Sequence, residues 1–175
     1  MAEYQVKALA LGLKEGKTLA ELQDIPGICY LSKNRPKPCI ELPSYEECLQ
    51  AKEKFALSFK LAYQEQDPFR GRTLCQRHQD YYLVQNPPAP PLQAEELDKI
   101  YSLPFQRKAH PRYGDEEVPA LREVRFSITS HRGCIGACSF CALLFHQGRI
   151  IQPRSHASII QEAVSMTLDP DFKGY

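Results

Sequence analysis

Between Asn86 and Pro91 the chain reads NPPAPP, and neither a helix interior nor a central strand can be made from that string. Each proline fixes its φ at about −65° and carries no amide donor, so the segment runs extended as polyproline II. It is the strongest boundary signal in the sequence. With fourteen prolines in 175 residues, one uninterrupted core is not expected. The predicted organisation has three parts: residues 1–85, the C-terminal part of an N-terminal α/β domain; residues 86–119, a proline-rich connector with one short helix; and residues 120–175, which carry the chemistry. NPPAPP has the composition of a docking ligand for another protein, but a stiff strap laid along a domain surface is the simpler reading.

Local signals fill in the first two parts. Ala2 to Glu15 reads as a helix stopped by Gly16, and Thr18 with Glu21 forms a T-x-x-E capping box that starts a second short helix. Pro26-Gly27 marks a turn before a short strand over residues 28–31. Ser44 and Glu47 form another capping box, and no glycine or proline occurs from Tyr45 to Gln66. One long helix is predicted there, with Cys48, Phe55, Phe59 and Ala62 on its apolar face. Residues 73–77 and 81–84 read as a hairpin around His78-Gln79-Asp80. Residues 93–102 form the connector's helix, with Leu97, Ile100 and Tyr101 inward. The mixed basic and aromatic stretch from Phe105 to Pro119 also holds Asp115, Glu116 and Glu117, so it reads as a solvated loop and gives no clear nucleic-acid signal.

The chemistry lies in VRFSITSHRGCIGACSFC, from Val124 to Cys141. Val124, Phe126 and Ile128 alternate with Arg125, Ser127 and Thr129, the period of a strand. Cys134, Cys138 and Cys141 follow as C-x3-C-x2-C. A structural zinc site takes four closed ligands, often as two C-x2-C pairs. Iron–sulfur clusters take thiolates, and three of them leave one iron of a [4Fe–4S] cubane open. Gly136 and Ala137 keep the loop small. Of the other cysteines, Cys48 and Cys75 read as packing residues, and Cys29 and Cys39 are too scattered to build a site. Beyond Cys141, Ser155 is an acceptable N-cap for a helix over residues 156–167 that buries Ile159, Ile160 and Ala163.

A strand followed by C-x3-C-x-aromatic-C resembles the signature of the radical S-adenosylmethionine (SAM) superfamily. The string SHRGCIGACSFCALLFHQGRIIQPRS, with ELPSYEE, EQDPFRGR and YLVQNPPAPPL, resembles its YgiQ-type (UPF0313) branch over nearly the whole chain. The resemblance implies an α/β fold in which residues 120–175 begin a radical SAM (β/α) partial barrel, contributing its first βα unit. It implies that Cys134, Cys138 and Cys141 hold a [4Fe–4S] cluster, that SAM chelates the open iron, and that Phe140 lies near the adenine. One-electron cleavage of SAM would then yield a 5′-deoxyadenosyl radical that abstracts hydrogen from a substrate. The implied partners are that substrate and a one-electron reductant such as flavodoxin or ferredoxin. In the family a glycine-rich SAM-binding segment follows the next strand. This chain ends before that point, so a fragment that is inert by itself is expected.

Bulk properties narrow the classes. Lysine and arginine total 22 against 21 acidic residues, which gives no electrostatic case for a polyanion partner. Seven cysteines, three of them clustered, favour reduced thiols and a cytoplasmic setting over a disulfide framework. No run reaches membrane-spanning length. The alternative to radical SAM chemistry is a non-catalytic zinc or iron–sulfur module, with His131 or His146 as the nearest fourth zinc ligand. Arg149 and Arg154 are candidates to pair with a carboxylate or phosphate.

Overall fold

The computed structural model describes residues 2–114 and 116–174. Asp115 of the acidic group lies outside them. The fold is mixed α/β and divides into two compact units, Met1–Pro91 and Leu92–Tyr175.

In the first unit, α1 (Glu3–Lys14) is followed by a 3-10 turn at Leu19–Leu22. The Glu21 carboxylate accepts from the Thr18 amide at 2.8 Å and from its hydroxyl at 2.7 Å, the capping interaction expected there. A four-stranded mixed sheet has the order β1 (Cys29–Ser32), β4 (Tyr81–Gln85), β3 (Leu74–His78), β2 (Ile40–Leu42). The β1–β4 and β4–β3 pairs are antiparallel, and β3–β2 is parallel. The expected hairpin therefore forms, turning through Gln79-Asp80. Val84 sits opposite Tyr30 on one side and Cys75 on the other, and Val84 and Cys75 are almost completely buried.

The long helix expected over residues 45–66 is instead two: α2 (Tyr45–Gln50) and α3 (Lys52–Gln64). Ala51 between them is extended, at φ −136° and ψ 118°. Alanine is the best helix former, so the break has no local cause; the two pieces lie against different strands. On the β3 side of α2, the Tyr45 ring stacks on His78 at 4.8 Å, and Gln76 Nε2 donates to the Pro43 carbonyl at 2.9 Å. α3 packs against β2. The expected apolar face does not survive this rotation, and Phe55 is 64% exposed. What α3 does bury is Glu65, just beyond its end, whose carboxylate accepts from the Arg72 amide at 2.8 Å and pairs with its guanidinium. That contact holds the Asp67–Gly71 turn in place.

The second unit contains α4 (Ala94–Tyr101), a 3-10 turn at Pro111–Tyr113, and α5 (Pro119–Val124). These are followed by β5 (His131–Arg132), α6 (Leu143–Gln147), β6 (Gln152–Pro153) and α7 (His156–Met166). Leu97 of α4 is completely buried, as its place in the expected helix implied. The strand expected over residues 124–129 does not form. Val118 is extended and Pro119 takes the first helical position, where its missing amide costs nothing, so Val124 ends a helix. The alternation that follows has another cause: Arg125 pairs with Asp169 at 3.3 Å and Asp171 at 2.8 Å, and the Phe126 ring meets Phe172 edge-on at 5.3 Å. The ladder comes later and is short, His131 opposite Pro153 and Arg132 opposite Gln152, antiparallel. Pro153 has no amide with which to extend it.

α7 is capped as read from the sequence, with the Ser155 hydroxyl accepting from the Ser158 amide at 3.1 Å. Its buried residues are Glu162 and Met166, while Ile160 is 61% exposed. An ion-pair network turns this helix. Arg154, completely buried, donates to the Thr129 carbonyl at 2.9 Å and to the Ser158 hydroxyl at 2.8 Å, and pairs with Glu162. Glu162 also pairs with Arg107. The Arg154 and Arg132 guanidiniums lie 4.3 Å and 5.4 Å from the Tyr101 ring centre, within cation–π range. Among the described residues, no helix is long and apolar enough to cross a membrane.

Candidate functional site

The three clustered cysteines sit on a loop closed at its base by backbone contacts. The β5–β6 pair leads into it, and the Arg154 amide donates to the Ser130 carbonyl at 3.0 Å. One residue further, the Gly133 amide donates to Gln147 Oε1 at 3.1 Å and the Cys134 amide to the Gly148 carbonyl at 3.0 Å. Gly133 adopts φ +89°, and a Cβ there would run into the Ile150 carbonyl. Only glycine meets both conditions. Residues 133–148 are thus tied at the neck, and α6 forms the returning side with Leu144 buried beneath it.

Within the loop the thiols are partly gathered. A Cβ built on Gly136 would lie 3.5 Å from Cys134 Sγ and 3.6 Å from Cys138 Sγ, so both sulfurs face that glycine. The Gly136 amide donates to Cys134 Sγ at 3.4 Å. Ala137 takes φ +45°, and the Cys141 amide donates to the Cys138 carbonyl at 3.1 Å, closing a backbone turn between the second and third cysteines. Cys138 is exposed; Cys134 and Cys141 are half-buried, and all three are free. Among the described residues, no set of three or more His, Cys, Asp or Glu side chains stands arranged to hold a metal ion. The donor set suits an iron–sulfur cluster: three thiols on a tethered loop, with an uncrowded glycine beside two of the sulfurs.

Phe140 is 91% exposed, and Phe126 is used against Phe172. His131 is exposed, with its Nδ1 2.9 Å from the Ser130 hydroxyl. Arg154 is not presented to any ligand, because its guanidinium is consumed by Glu162, Ser158 and Thr129. A groove in the same unit, lined in part by Asp98, Tyr101, Arg107, Ser155, Ser158 and Glu162, includes none of the three cysteines.

Sequence reasoning missed a second pair of thiols. Cys39, just before β2, and Cys75 in β3 bring their sulfurs to 2.7 Å. They are 36 residues apart, and the parallel register that joins them leaves no mark in spacing or periodicity.

Comparison with known proteins supplies the lineage. The family described as Radical SAM N-terminal matches residues 1–127, a span that ends before the cysteine loop. Relatives match the loop as well. A "UPF0313 protein" of Clostridium botulinum (strain Okra / Type B1) is 49% identical over 100% of this chain and 28% of its own length. The corresponding values are 48%, 99% and 29% for a "UPF0313 protein" of Methanocella arvoryzae, and 47%, 100% and 27% for one of Clostridium perfringens (strain ATCC 13124). The chain therefore spans less than a third of the length of these curated relatives. No solved structure matches it significantly. With a mixed α/β fold, a match over most of its length and near-half identity to UPF0313 proteins from end to end, the chain belongs to the radical SAM N-terminal family.

Proposed function

We propose that Cys134, Cys138 and Cys141 are the thiolate ligands of a [4Fe–4S] cluster, and that the protein this chain belongs to is a radical SAM enzyme. The observation that carries the reading is the tethered loop: three thiols between Gly133 and Gly148, two of them facing Gly136, in a member of a radical SAM family. When bound, cluster and SAM supply reductive cleavage of the sulfonium C–S bond, giving methionine and a 5′-deoxyadenosyl radical for hydrogen abstraction from a substrate.

The chain's own residues do the holding. Gly136 keeps side-chain bulk away from both neighbouring sulfurs, and its amide donates to Cys134 Sγ, a contact of the kind that tunes cluster potential. The exposed Phe140 is available to pack on the adenine. The three-thiol count leaves one iron for SAM, and a small electron-transfer protein of the flavodoxin or ferredoxin class would serve as reductant.

The test is anaerobic reconstitution with iron and sulfide, followed by EPR of the reduced protein with and without SAM. A [4Fe–4S] signal that shifts on SAM addition and is lost in Cys138→Ala is the expected result. Zinc retained in place of iron, or a cluster that survives Cys138→Ala, would overturn the ligand assignment.

A further inference from the structure

The thiol pair in the first unit lies outside the cysteine loop and outside every role given above. Cys39 is half-buried, while Cys75 is 1% exposed. Their sulfurs stand 2.7 Å apart, and the backbone brings them together rigidly: the Ile40 amide donates to the Thr73 carbonyl at 2.8 Å, and Glu41 is in register with Cys75. Glu41, the register partner of Cys75, is itself held by an ion pair with Arg35 at 3.0 Å.

We infer that Cys39 and Cys75 form a reversible disulfide by exchange with a low-molecular-weight disulfide such as glutathione disulfide, Cys39 attacking first and Cys75 resolving. In the first step the Cys39 thiolate bonds to one sulfur of glutathione disulfide, whose S–S bond breaks, and one glutathione leaves with a proton. In the second, Cys75 gives up its proton, its sulfur attacks that of Cys39, and the second glutathione leaves. Two protein thiols are oxidised to one disulfide, and one glutathione disulfide is reduced to two glutathiones. Burial, together with the Cys39 contact, pushes the Cys75 thiol up to about 12, and Cys39 is the more accessible of the two, so Cys39 attacks first. Closing the bond moves the sulfurs by less than about 1 Å. It would bolt the three-residue edge strand β2 to the middle of the sheet.

The experiment uses the full 175-residue chain, reduced and then equilibrated anaerobically in glutathione buffers of increasing oxidised fraction. Remaining thiols are alkylated and mapped by mass spectrometry. The expected result is a single peptide pair joining Cys39 to Cys75, lighter by two hydrogens, at a poise where Cys29 and Cys48 are still alkylated. Cys75→Ala should trap glutathione on Cys39, and Cys39→Ser should leave Cys75 reduced. A stable glutathione adduct on wild-type Cys39 with Cys75 still free, or Cys75 joined to any other cysteine, would overturn the inference. The wild-type map stands even if the Cys75→Ala chain does not fold.

Discussion

The two units solve the same problem with different forces. The first closes a four-stranded sheet over apolar side chains, with Val84 and Cys75 buried in adjacent strands, and most of its charged residues remain at the surface. The second has a ladder of two residue pairs and relies on a buried guanidinium–carboxylate network around Tyr101. Hydrophobic burial is non-directional and tolerates approximate shape, whereas a buried ion pair fails abruptly when one partner is removed. The difference teaches that the unit carrying the cysteine loop is the less forgiving of the two.

The sharpest break is Glu162→Gln. It leaves completely buried Arg154 without its carboxylate and unpairs Arg107 as well, at an expected cost of about 3–5 kcal/mol. Hydrogen exchange should show protection lost in α7 and around β6 but kept in β3 and β4. Equal loss in both units would show that they share one cooperative transition. Val84→Ala is the counterpart in the first unit and should cost roughly 1–3 kcal/mol. Here protection should fall in β1, β3 and β4, with α7 unchanged.

The smallest effect is expected from Glu65, a buried carboxylate that sets a turn in the first unit. Hydrogen bonds from Arg72 hold its carboxyl below the ordinary 4.5. A depressed folded value stabilises above pH 4.5, and the stabilisation is lost as pH falls from there through the folded value. Arg72 is largely exposed, so the gain is less than about 1 kcal/mol. Thermal melts between pH 6 and pH 3 should show a shallower acid slope in Glu65→Gln than in the wild type; parallel slopes would remove Glu65 from the account.

The same contrast explains what could be read before the fold was known. Local rules wrote the first unit: the Thr18–Glu21 and Ser44–Glu47 caps, the hairpin at Gln79-Asp80 and the stop at Gly16 all stand where the residues put them. The break at Ala51 could not be read, because a residue with the highest helix propensity was overruled by two different strands. In the second unit the period-2 run at residues 124–129 misled for the same reason, since Arg125 and Phe126 answer to Asp171 and Phe172 some 45 residues away. The three cysteines of the loop were legible because they are close in sequence. Cys39 and Cys75 were not, because only strand pairing makes them neighbours.

The neck of the cysteine loop has a consequence at the level of the gene. Every single-base change of a glycine codon that does not preserve glycine or stop translation installs a side chain with a Cβ. At Gly133 each of these would meet both the Ile150 carbonyl and an unfavourable φ of +89°. No amino-acid replacement one base away from this position therefore escapes both penalties. Variation that reshapes the loop has to enter at its tip, between the pinned ends, where Ile135 and Phe140 already face solvent.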